Sequence, residues 1–244
     1  MRTLVFGGAA CGKSALAERL CRAGAARAAE EPPATSACAA VAALRGAGRA
    51  VGDRTPAGAE GVPLGRAFPA PGVASDWPGA ALGTSGSAAP LVYIATMEPF
   101  GPEAAARIER HQALRAGAGF STLECPCDLA ALALPAGAHV LLEGLGTLVA
   151  NELYAPPDYA MRLPDEALAR VLAGVAHLED VASGLTVVSD DVFADGVAYS
   201  GQTQAYLDVL ARVNAALAGR FERVVEVVCG LSIWHKGEEG ERPL

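Results

Sequence analysis

The apolar residues of this chain fall into short runs separated by longer amphipathic stretches. Thr3–Phe6, Leu91–Ala95, His139–Leu142, Leu185–Val188 and Arg223–Cys229 show little alternation, as expected of strands covered on both faces. Helical patterning runs over Lys13–Ala28, Glu103–Arg115, Gly146–Leu153, Asp165–Val181 and Gln202–Leu217. Strands alternating with helices predict an α/β fold, a mostly parallel sheet with helices on both faces. Such sheets bind ligands at the carboxyl ends of their strands. The residues just after each apolar run are therefore the places to look for chemistry.

One segment breaks the pattern. Glu30–Pro90 holds 17 Ala, 10 Gly and 8 Pro in 61 residues and no Ile, Tyr or Lys. Pro71-Gly72 and Pro78-Gly79 interrupt any long element, and only Ser36–Leu44 has the makings of a short helix. The expected organisation is one α/β domain built from 1–29 and 91–236, a mobile low-complexity insertion at 30–90, and a tail at 237–244. No chemistry is expected in the insertion.

Composition narrows the function classes. The 244 residues carry 19 basic and 27 acidic side chains, a net charge of −8, with 5% aromatics. This is not the footprint of a nucleic-acid binder. No apolar run is long enough to span a membrane, and Gly7-Gly8 ends the first one at once, so a soluble, cytoplasmic protein is expected. Cys11, Cys21, Cys38, Cys125, Cys127 and Cys229 lack disulfide-framework or zinc spacing and read as reduced thiols, Cys125-x-Cys127 being only weak metal evidence.

The first strand runs into Gly7-Gly8-Ala9-Ala10-Cys11-Gly12-Lys13-Ser14, a G-x-x-x-x-G-K-[ST] phosphate loop that opens a helix. Its backbone N–H groups would cradle phosphate oxygens, Lys13 would reach the β- and γ-phosphates, and the Ser14 hydroxyl would hold Mg²⁺. The chain has two lysines, and one of them is here. Glu143 ends the third apolar run and is a candidate for the Mg²⁺ shell or for orienting an acceptor hydroxyl. Asp190-Asp191 is a second acidic pair in an equivalent position.

Arg107, His111 and Arg115 share one helix face at i, i+4 and i+8. The guanidiniums disfavour the imidazolium and leave a ring nitrogen free to attack phosphorus. His139, His177 and His235 have no such company and read as structural or surface residues. On these residues alone three readings stay open: a bifunctional enzyme with a nucleotidylated histidine, a monofunctional P-loop small-molecule kinase or nucleotidyltransferase, and a nucleotide-sensing P-loop module.

The ordered series of motifs resembles the bifunctional adenosylcobinamide kinase / adenosylcobinamide-phosphate guanylyltransferase family of cobalamin synthesis. It comprises the loop Gly7–Ser14, Tyr93-Ile94-Ala95-Thr96, and the helix with Glu103, Arg107, Ile108, His111 and Arg115. Thr122 with Glu124, Leu141-Leu142-Glu143, Thr147–Leu153, and Asp208 with Arg212, Val213 and Asn214 complete it. The resemblance implies a RecA-like P-loop fold and Mg²⁺-dependent use of ATP or GTP to phosphorylate adenosylcobinamide. It further implies transfer of GMP from GTP through His111, giving adenosylcobinamide-GDP. It implies nucleotide contacts from Ile94, Ala95, Thr96, Gln112, Arg115, Glu124 and Glu143, and a homotrimer whose site borrows residues across an interface. The chain departs from the family pattern at Asp190-Asp191, where Asn-Glu is usual, in the loop Val192–Gly201, at Leu207 and at Cys11.

Overall fold

Leu4 and Val5 point to opposite faces of the first strand and enter two different cores. That division, repeated along the sheet, organises the molecule. The computed structural model describes residues 1–30, 89–97, 119–154, 160–193, 195–199 and 201–237. Among them are the strands β1 (Arg2–Gly7), β2 (Leu91–Ala95), β3 (Phe120–Glu124), β4 (His139–Glu143), β5 (Gly184–Asp190), β6 (Arg223–Val228) and β7 (Leu231–Lys236). The helices are α1 (Lys13–Glu30), α2 (Leu145–Leu153), α3 (Pro164–Val181) and α4 (Gly201–Arg220), with a 3-10 turn at Leu129–Ala131.

The strands form one sheet in the order β3-β2-β4-β5-β1-β6-β7, parallel except for the last. On one face Val5, Tyr93, Leu141, Val188, Val225 and Val227 pack on Leu16, Ala17, Leu20 and Cys21 of α1. On the other, Leu4, Val92, Ile94, Val140, Leu142, Leu185 and Val187 form the larger core, which α2, α3 and α4 complete. Burying both faces is what the unalternating runs demanded.

Helix α3 illustrates the local logic. Pro164 opens it, Asp165 and Glu166 sit in its first turn, and Ala167, Val171, Gly174, Val175 and Leu178 form its buried stripe. Helix α4 buries Val209, Leu210, Val213 and Leu217 and hands over to Phe221, which is fully enclosed.

Every apolar run named above became a strand, and four of the five helical stretches are present with ends within three residues. The fifth, Glu103–Arg115, lies outside the described residues, as does the short helix expected at Ser36–Leu44. The pattern missed two strands. β3 is a sheet edge that is only half-buried and reads Phe-Ser-Thr-Leu-Glu, too polar to register as an apolar run. β7 forms the other edge and is largely exposed. It hairpins off β6 through Cys229-Gly230, whose φ angles of 50° and 81° fit the two-residue turn of a tight hairpin.

Register sets the working face. Ala95 of β2 is level with Glu124 on one side and Glu143 on the other, and Gly7 of β1 is level with Asp190 of β5. The carboxyl ends of five adjacent strands thus stop at the same edge. β5 lies between the phosphate-loop strand and β4, the arrangement expected of a RecA-like sheet.

Candidate active site

The phosphate loop leaves the sheet through a tight passage. A Cβ on Gly7 would lie 2.4 Å from the Val227 carbonyl oxygen and 2.8 Å from Cys11 Sγ, so only glycine fits. Beyond it Ala10 and Gly12 take positive φ, 55° and 96°, and the Leu16 N–H donates to the Gly12 carbonyl as α1 begins. The hairpin between β6 and β7 braces the loop, because Gly230 N–H donates to the Cys11 carbonyl at 3.0 Å.

Inside this frame lies a cavity of about 170 Å³ lined by Lys13, Ser14, Tyr93, Ala95, Thr96, Met97, Thr122, Glu124, Glu143, Gly144, Thr147, Val188 and Asp190. Glu143 is its centre. The Ser14 hydroxyl donates to Oε1, and the Tyr93 hydroxyl donates to Oε2 at 2.9 Å. Among the described residues no cation contacts this carboxylate.

Lys13 is 13% exposed and lies 3.0 Å from Asp190 Oδ1, and its Nζ also donates to the Gly8 carbonyl at 3.0 Å. Asp190 reaches back toward Tyr206. The place where a side chain on Gly146 would begin is 2.8 Å from the Tyr206 hydroxyl and 3.2 Å from Asp190 Oδ2. Burial, and then the Asp190 charge, hold the Tyr206 phenol above its ordinary value.

A second layer holds these groups in place. The Thr96 hydroxyl shares its proton between the carbonyls of Gly144 at 2.8 Å and Glu143 at 3.2 Å. Asn151 Nδ2 donates to the carbonyls of Thr96 and Pro126, tying the end of β2 to the chain beyond β3. Thr147 and Asn151 therefore act from α2 on the strand tips, one by lining the cavity and one by fixing the loops.

Among the residues singled out from the sequence, Lys13, Ser14, Ala95, Thr96, Glu124 and Glu143 meet in this one cavity, together with Asp190. Gly7, Gly8, Ala9, Ala10, Cys11 and Gly12 form the loop beside it. Ile94 is fully buried in the larger core and does not line the cavity. His111, Gln112, Arg107 and Arg115 lie outside the described residues. Two contributors had no functional signal of their own. Tyr93 stood only as a letter in a strand-end motif, and Tyr206 sits where nothing but proximity marks it.

The remaining histidines are accounted for by packing. His177 Nε2 is 2.8 Å from the Leu132 carbonyl, and His235 stacks on Phe6 and contacts Glu226. His139 is buried against Gly24 and Gly184, and burial lowers its pKa. None of the five described cysteines is in a disulfide. Burial pushes Cys125 up to about 12, aided by the charges of Cys127, Asp128 and Glu152, and its thiol donates to the Cys127 carbonyl. No group of three or more His, Cys, Asp or Glu with metal-binding geometry occurs among the described residues. No described helix is long and apolar enough to cross a membrane.

No individual curated protein matches the chain at a significant level. A family model does: residues 78–234, well over half of the chain, match that of cobinamide kinase / cobinamide phosphate guanyltransferase. The phosphate loop precedes the matched residues, but the sheet unites them, since β1 is hydrogen-bonded between β5 and β6, which both lie within the match. The chain therefore belongs to the cobinamide kinase / cobinamide phosphate guanyltransferase family, a bifunctional family of cobalamin biosynthesis that uses nucleoside triphosphates as substrates.

Proposed function

We propose that the cavity at the carboxyl ends of β1, β2, β4 and β5 is the phosphoryl-transfer site of this enzyme, and that His111 carries GMP in the second activity. The observation behind the first part is the convergence of Ser14, Glu143, Lys13 and Asp190 on one cavity beside the phosphate loop. The Ser14 hydroxyl and the Glu143 carboxylate are hard oxygen donors, the type Mg²⁺ selects, and no cation among the described residues satisfies them. They would hold Mg²⁺, which supplies neutralisation of phosphate charge when bound.

In the kinase step the loop N–H groups hold the phosphates of ATP or GTP, and Lys13 exchanges Asp190 for the transferred phosphoryl group. Released from Lys13, Asp190 is placed to accept the proton of the acceptor hydroxyl, the terminal hydroxyl of adenosylcobinamide. Tyr93 fixes the orientation of Glu143 through its hydrogen bond. In the nucleotidyl step a neutral His111 ring nitrogen attacks the α-phosphorus of GTP, the bond to pyrophosphate breaks, and a phosphoramidate forms. The phosphate of adenosylcobinamide phosphate then displaces the imidazole and takes GMP, which gives adenosylcobinamide-GDP. A trimer and a cytoplasmic location belong to this reading through the family resemblance.

Incubation of the protein with α-labelled GTP tests the nucleotidyl half. The expected product is an acid-labile covalent adduct that is missing in His111→Ala and kept in Lys13→Ala. Label retained by His111→Ala would end the assignment of that residue.

A further inference from the structure

The cavity is too small for the whole acceptor. At about 170 Å³ it lies below the roughly 300–1,000 Å³ of pockets that bury drug-sized ligands, and a corrin macrocycle is larger than such ligands. A phosphate group and the end of an amino-alcohol arm fit inside. On this reading of the cavity, the ring lies on its rim.

The rim has an unusual stretch next to Asp190. In a chain with only 5% aromatic residues, the connection from β5 to α4 displays Val192, Phe193, Val197 and Tyr199 on the surface, each between 37% and 57% exposed. This connection continues directly from a cavity-lining residue, and Asp191 N–H donates to the Gly7 carbonyl at 3.0 Å, so its root is fastened to the phosphate loop. Local bonds hold the apolar side chains up. Asp191 Oδ1 accepts from Phe193 N–H at 3.4 Å, Asp195 Oδ1 accepts from Val197 N–H at 3.0 Å, and the Tyr199 hydroxyl donates to Asp195 Oδ2 at 2.6 Å. Exposed apolar groups interleaved with carboxylate acceptors suit a partner with apolar faces and an amide-bearing edge, which is the chemistry of a corrin with its acetamide and propionamide arms.

We propose that the described part of this connection, residues 191–193 and 195–199, is the docking surface for the corrin ring of cobinamide. Phe193 and Tyr199 lie against the macrocycle while its hydroxyl arm enters the cavity past Asp190. The proposal rests on the reading of the cavity as the phosphoryl-transfer site. Among the described residues a second exposed apolar group near the phosphate loop, Val228 of β6 with Leu231 and Ile233 of β7, serves as the internal comparison.

The test pairs equilibrium dialysis of dicyanocobinamide, followed by its visible absorption, with kinase assays on cobinamide. The variants are the double substitution Phe193→Ala with Tyr199→Ala, the conservative Phe193→Tyr, and Leu231→Ser. The double variant is expected to lose about tenfold in dicyanocobinamide affinity and to raise the KM for cobinamide by a similar factor. Its nucleotide affinity and sedimentation should stay as in the wild type, and Phe193→Tyr and Leu231→Ser should behave like the wild type throughout. Unchanged corrinoid affinity in the double variant overturns the proposal, as does loss confined to Leu231→Ser. A change in subunit assembly in the double variant overturns it too, because the surface would then belong to a second copy of the chain. Wild-type protein that binds nucleotide yet never phosphorylates cobinamide would instead sink the underlying reading of the site.

Discussion

Two glutamates nine residues apart, Glu143 at the tip of β4 and Glu152 near the end of α2, have opposite surroundings. Glu152 is 1% exposed and fully answered: Arg162 Nη1 at 2.9 Å and Arg170 Nε at 2.7 Å bind one oxygen, and Asp128 N–H at 2.7 Å binds the other. Among the described residues, Glu143 has only the two hydroxyls of Ser14 and Tyr93. A buried carboxylate with two guanidiniums is a clamp, and it locks the 3-10 turn, α2 and α3 together. A carboxylate given neutral donors at the edge of a cavity is left open to a cation that arrives. The difference separates structure from function more sharply than the residue type does.

The largest effect should come from breaking the clamp. Glu152→Ala takes the shared carboxylate from two guanidiniums, leaving Arg162 the Glu152 carbonyl and Arg170 only Asp128 at 3.7 Å, and should cost about 3 kcal/mol, visible as a fall in thermal midpoint of roughly 10 °C. Thermal unfolding followed by circular dichroism checks this, and the surviving folded enzyme should keep its KM for nucleotide. Next, Lys13→Ala should lower the turnover of cobinamide phosphorylation by about 10²-fold or more with little change in thermal midpoint, since it removes a donor to the transferred group. Tyr93→Phe removes one hydroxyl from Glu143 and should cost about 1–2 kcal/mol of transition-state stabilisation, measured as the fall in kcat/KM.

The smallest effect lies at the opposite pole of the sheet. Burial holds the pKa of His139 below its unfolded value of about 6.5. The unfolded chain therefore binds the extra proton first, and stability falls as pH drops from about 6.5 toward the lower folded pKa. Denaturant melts at pH 7.5 and pH 5.5 should show a smaller loss in His139→Phe than in the wild type.

How much of this was legible in the sequence follows from the physics of each part. The fold was readable where strands are buried on both faces, because Val140-Leu141-Leu142 admits no polar alternation. It was unreadable at the edges, where β3 carries Ser and Thr in half-exposed positions and β7 carries Ser, His and Lys in exposed ones, so both look like loop. In the site, Lys13 and Ser14 were legible because a loop that wraps phosphate must have glycines and a lysine at fixed spacing. Glu143 was legible from its place after an apolar run. Asp190 carried the same signal, but its contact with Lys13 depends on β5 pairing with β1, a long-range fact no local pattern contains. Glu152 with Arg162 and Arg170 was invisible for the same reason.

The central claim is that Glu143, which no cation among the described residues contacts, receives a metal-bound nucleotide. The most direct measurement is the affinity of a non-hydrolysable ATP or GTP analogue, with and without Mg²⁺, in Glu143→Gln and Glu152→Gln. The account predicts that the enhancement of binding by Mg²⁺ disappears in Glu143→Gln and persists in Glu152→Gln. Equal dependence on Mg²⁺ in wild type and Glu143→Gln would contradict it.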